Sequence, residues 1–188
     1  MRAHCYLECV LIEYAMLEDR LLSILVHLGM ARRQDEHKPV WVRKPSDVRQ
    51  GYRSCLAPML SHRGSLPSIR SIKSKMSAIT LLATLEGPSD ECGAYERWLR
   101  TTVRDKLEAS QVDVTIERLG AWLERRNELV HALFGATSGL YDSDELRALA
   151  EEGLFLARQL DNVSGKMAAL MCAYRRRAGA SAGRALQQ

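Results

Sequence analysis

Along most of this chain apolar residues recur every three to four positions, the spacing of a helix that buries one face. Over residues 2–29, Leu7, Leu11, Tyr14, Leu21, Leu25 and Leu28 fall on one stripe, and Gly29 supplies the stop. The spacing predicts a second helix over 66–85, with Ile69, Ile72, Met76, Ile79 and Ala83 inward and Gly87-Pro88 ending it. Ser89-Asp90 caps a third, which reaches Ser110 on Tyr95, Trp98, Leu99, Val103 and Leu107. A fourth spans 112–134 on Val112, Ile116, Leu119, Leu123, Val130 and Phe134. After a turn over 135–141, Asp142-Ser143-Asp144 caps a fifth that runs to Arg177 and turns Leu146, Leu149, Leu154, Leu156, Leu160, Val163, Met167, Leu170 and Met171 inward. The small, Gly-containing residues 178–188 carry no such pattern and read as a disordered tail. Strand-like alternation is scarce. The expected fold is all-α, a bundle of about five helices in a single domain over 1–177.

The periodicity fails between Ala31 and Ser65, where Pro39, Pro45, Pro58, Gly51 and Gly64 break up the chain. This stretch reads as an irregular insertion after the first helix, with a short helix near 46–60 started by Ser46-Asp47. Charge changes the picture here. Residues 31–75 carry eleven Lys and Arg against three Asp and Glu, while the whole chain has a net charge of only +4. Trp41, Tyr52 and His62 interleave with the cations, a composition suited to gripping a phosphate backbone and stacking a base. Arg43, Lys44, Arg49 and Arg53 are the candidate RNA contacts; a solvated, charged loop has the same composition.

Two helices carry polar residues where packing asks for carbon. On the fourth, Arg126 and Asn127 sit on the shoulders of the apolar stripe, and His131 follows Asn127 by one turn. Arg126 and His131 lie about 140° apart on an ideal helix, so they do not face each other directly. On the first, Glu18 occupies the middle of the stripe, where a buried carboxylate needs a partner. The expectation is that Glu18 supports Arg126 or His131 from behind.

Other signals narrow the class. The five cysteines are scattered and form no CxxC pair, which suits a reducing cytoplasm and no zinc cluster or disulfide frame. No apolar run is long enough to span a bilayer, and Glu8 and Glu13 interrupt the first one, so it makes a poor signal peptide. No Walker loop, zinc signature, nucleophile elbow or dinucleotide fingerprint is present, and neither a metal nor a cofactor is expected.

Arg126-Asn127-Glu128-Leu129-Val130-His131 resembles the RNxxxH form of the Rx4-6H motif of the HEPN superfamily, all-helical domains that include many metal-independent ribonucleases of toxin–antitoxin and anti-phage systems. The acidic first helix, Tyr14 to Leu22, is similar to that superfamily's first helix, and the resemblance covers the chain apart from the tail. It implies an endoribonuclease with Arg126 and His131 as the active pair and Asn127 at the motif's polar second position. It also implies a homodimer that joins two motifs, and an antitoxin or other inhibitory partner. Leu133 stands where one branch carries a tyrosine that accepts a transferred nucleotide, so that mode of control is not implied. The alternative is a non-catalytic helical module for RNA or a protein partner that keeps the motif for dimerisation.

Overall fold

The structure, a computed structural model, describes residues 3–33, 39–42, 47–134 and 143–185. Helix α1 (Ala3–His27) ends where expected: Gly29 takes φ +76°, and the Met30 and Gly29 amides donate to Leu25 O and Val26 O. That left-handed residue at a helix C-terminus is the conformation glycine adopts without a Cβ clash.

The chain then doubles back. Strands β1 (Ala31–Arg33) and β2 (Pro39–Trp41) pair antiparallel with Arg32 opposite Val40, and the Val42 amide donates to Met30 O at 2.9 Å. Helix α2 (Asp47–Cys55) and a single 3-10 turn over Ala57–Met59 follow. The insertion expected to be irregular over 31–65 is therefore partly ordered: the short helix is present, and three-residue strands too brief to show alternation accompany it.

Helix α3 (Ile72–Ala83) starts later than the apolar spacing predicts, because Ser71 is its cap and accepts from the Ser74 amide at 3.1 Å. Helices α4 (Ala94–Trp98) and α5 (Arg104–Glu108) are joined by a π-helical stretch over Leu99–Val103. Helix α6 (Val112–Phe134) carries the motif, and α7 (Ser143–Ala185) closes the bundle. The expected turn over 135–141 lies outside the described residues. Helix α7 continues past Arg177 into residues expected to be a disordered tail; Ala178, Ala180, Ala182 and Ala185 favour that continuation, since alanine is the strongest helix former.

Three long helices set the architecture. Helices α1 and α7 run parallel: Arg20 Nε reaches Asp161 Oδ1 at 3.0 Å, and Gly29 abuts Met171. Helix α6 runs antiparallel to α7, with Arg118 on Glu152 at 2.8 Å and the buried Trp122 indole donating to Leu149 O at 2.8 Å. Helix α3 fills the remaining side, touching α1 through Lys75 and α6 through Met76 beside Gly120. The protein is mostly helical, as the periodicity requires. Among the described residues no helix is long and apolar enough to cross a membrane.

At the other end of the bundle, α2 presses on α4 through Gly51. A Cβ there would sit 2.8 Å from Tyr95 Cδ1 and 3.1 Å from the Glu96 backbone nitrogen. Tyr95 cannot yield, because it is buried and its hydroxyl donates to Leu28 O at 2.6 Å. Gly51→Ala is expected to cost about 1–3 kcal/mol from overpacking, more than the roughly 1 kcal/mol that alanine adds to a helix. A lowered urea midpoint checks this; an unchanged or higher midpoint means that α2 does not seat against α4.

Candidate active site

Helix α6 offers its polar groups because its apolar arc does not reach them. Val112, Ile116, Leu119, Trp122, Leu123 and Leu129 are buried, and Val130 is half-buried. This leaves Arg126 at the margin of the core, with Asn127 and His131 exposed beyond it. The Arg126 guanidinium lies over the Tyr14 ring of α1, its Cζ 4.6 Å from the centroid. That cation–π contact holds a long side chain that would otherwise sweep through solvent. Arg126 Nη1 donates to Asn127 Oδ1 at 3.1 Å. Its Nε is buried without an acceptor among the described residues.

Because Asn127 Oδ1 already accepts from Arg126, its amide NH2 is the end left for another group. His131 is exposed and its imidazole makes no hydrogen bond among the described residues. The structure thus brings Arg126 and Asn127 together. His131 forms no hydrogen bond with either: it follows Asn127 by one turn on the same flank and lies about 140° round the helix from Arg126.

Glu18 does not support Arg126. Its Oε1 accepts from Lys75 Nζ at 2.7 Å, and that ammonium also donates to Arg70 O at 3.1 Å. Lys75 is only 1% exposed, and a buried ammonium requires an anion within reach, so it claims Glu18 first. The neighbour of Arg126 is instead Tyr14, one turn earlier on α1. Tyr14 was legible as an apolar position, but nothing in the sequence signals which side chain rests on it.

The remaining expected contacts fall elsewhere. Helix α2 packs beside Gly29, with Val48 Cγ1 3.8 Å from where a Cβ would lie, and Tyr14 is about 20 Å back along α1. Arg49 and Arg53 therefore sit at the opposite end of the bundle from Arg126. Arg53 is also committed to the loop, donating through Nη2 to Gly64 O. Arg43 and Lys44 lie outside the described residues.

A second buried group adjoins the motif. Glu13, beside Tyr14, is 7% exposed, and its Oε2 has no hydrogen-bond partner among the described residues. It fits against Gly153 of α7 and Trp122, one turn before Arg126. Burial pushes its carboxyl up from 4.5 to about 7. Sequence reading registered Glu13 only as an interruption of an apolar run. Among the described residues no three His, Cys, Asp or Glu side chains gather as a metal-binding group.

Compared with protein-family models, curated proteins and solved structures, the chain matches none. The resemblance to HEPN domains therefore rests on the sequence alone.

Proposed function

We propose that this chain is a metal-independent endoribonuclease of HEPN type that cleaves RNA by attack of the 2′-hydroxyl on the neighbouring phosphorus. The observation that carries the reading is Arg126 seated on Tyr14 with Asn127 held beside it, on the helix that exposes His131.

RNA brings its own nucleophile, so the protein needs only to move a proton and stabilise charge. The bond from the 2′-oxygen to phosphorus forms as the bond to the 5′-oxygen breaks, leaving a 2′,3′-cyclic phosphate and a 5′-hydroxyl. Neutral His131 takes the proton from the 2′-oxygen; histidine suits the task because its unperturbed pKa of about 6.5 serves as base and acid near neutrality. Arg126 donates to the non-bridging oxygens as their charge grows, and the Asn127 amide NH2 orients the 2′-oxygen. The leaving 5′-oxygen needs a proton from a second imidazole, which one copy lacks. A homodimer about a two-fold axis supplies it. Leu11, Ile12 and Met16 leave apolar surface exposed on α1 near Tyr14, as a contact between copies would use.

Under this reading the protein is a toxin or anti-phage effector of the cytoplasm, restrained by an antitoxin or other inhibitory partner. Single-stranded and structured RNA incubated with the purified chain in EDTA is the test. Cutting that is lost in Arg126→Ala, and whose specific rate rises with protein concentration as dimers form, supports the nuclease. RNA that stays intact but bound favours the non-catalytic module, and equal cutting by Arg126→Ala points to a contaminating enzyme.

A further inference from the structure

Two cavities meet at Pro39 and Arg70 and form one trough. The first, about 440 Å³, is the part that runs along α1; it is charged and is lined by Ala15, Glu18, Asp19, Arg33 and Lys75. The second, about 390 Å³, has apolar walls from Trp41, Leu66 and Pro67. The carboxylates in it are already matched. Glu18 Oε1 accepts from Lys75 at 2.7 Å, and Asp19 Oδ1 meets Arg33 Nη2 at 2.6 Å. Arg70 is different: it is exposed, and among the described residues its guanidinium forms no ion pair. An anionic ligand in this trough would meet a guanidinium at Arg70 that no carboxylate among the described residues already holds.

The wall beyond Arg70 is rigid. The Trp41 indole donates to Pro67 O at 2.8 Å, and its ring stacks on Tyr52 at 5.8 Å and 22°. A flat shelf beside a fork of donors suits a base and its phosphate.

We propose that the trough holds one nucleotide of a single-stranded RNA, its phosphate on Arg70 and its base against Leu66, Pro67 and Trp41. The trough opens beside the motif: Ala15 follows Tyr14, the platform of Arg126, and Glu18 lies about 6 Å further along α1. A strand seated there leads to Arg126 without crossing the bundle. This places part of the basic 31–75 segment in contact with RNA through Arg70, rather than through the cations of α2. The inference rests on the ribonuclease reading for the identity of the polymer.

The experiment uses the full chain carrying His131→Ala, in EDTA, with a fluorescein-labelled single-stranded RNA read by anisotropy over a range of salt. Adding Arg70→Ala weakens binding roughly tenfold, since one charge-assisted fork is lost. It also reduces the slope of log affinity against log salt by about 0.7, the share of one phosphate on a single strand. Arg70→Lys keeps the slope and loses part of the affinity, and Lys106→Ala, on α5, changes neither. Equal affinity and slope for Arg70→Ala overturns the inference even where the wild type cuts RNA. Arg70-dependent binding by a chain that never cuts RNA keeps the inference and removes the nuclease reading. No binding by any variant, or displacement of the strand by UMP as readily as by unlabelled RNA, overturns the strand as occupant.

Discussion

Replacing His131 with alanine is expected to slow RNA cleavage by about 10²–10⁴-fold, the usual contribution of a positioned proton-transfer group. The size follows from the division of labour on α6. Arg126 and Asn127 remain in place through Tyr14 and their mutual hydrogen bond, so electrostatic stabilisation survives and only proton transfer is lost. Because His131 is exposed and its imidazole makes no hydrogen bond among the described residues, the variant keeps its stability within the roughly ±0.5 kcal/mol of a surface change. The paired measurement is a cleavage rate and a melting curve on the same preparation. A large loss of rate with an unchanged melt supports chemistry at the imidazole. A loss of rate that tracks a lowered melt assigns His131 to stability instead.

The second large effect concerns Glu13. Its carboxyl is raised from 4.5 to about 7 by burial against Trp122 and Gly153, with no partner for Oε2 among the described residues. The folded protein therefore holds a proton that the unfolded chain releases in the same range. Stability is fully present below about pH 4.5, falls as pH rises towards 7, and stays low above it. The loss from this one group is at most about 3 kcal/mol, because each pKa unit is worth about 1.4 kcal/mol and solvent screening takes away part of it. Glu13→Gln removes the titration, so its stability between pH 5 and 8 is flatter than that of the wild type. At pH 8 it melts a few degrees higher than the wild type, given about 2–4 °C per kcal/mol for a chain this size. Melting curves across that range check it; parallel curves for the two proteins would mean that Glu13 is solvated or paired. The consequence for the site is direct, since Glu13 adjoins Tyr14 and packs on Trp122, one turn from Arg126.

Both predictions lean on features that differ in how plainly the sequence shows them. The inward face of α6 was readable: Val112, Ile116, Leu119 and Leu123 are buried, because a period near 3.6 is a property of one helix alone. Gly29 as the stop of α1 was readable for the same local reason. The partners of the polar residues were not. Lys75 stands fifty-seven positions from Glu18, and the contact depends on the offset and rotation of α3 against α1, which no single-helix pattern encodes. The same holds for Tyr14 under Arg126 and for Glu13 against Gly153. The hairpin was hidden by its length, since three residues per strand cannot display alternation. Local charge density marked 31–75 correctly as basic, but it could not say that Arg49 and Arg53 would fold to the end of α1 away from the motif while Arg70 returned to a trough beside it.

The most direct measurement compares one RNA sequence with its fully 2′-O-methylated copy, incubated with the wild-type chain in EDTA and analysed by fragment mass. Cleavage that depends on the 2′-hydroxyl leaves fragments ending in 2′,3′-cyclic phosphate from the unmodified strand and none from the methylated one. Equal cutting of both strands, or two intact strands at every protein concentration, would contradict the account.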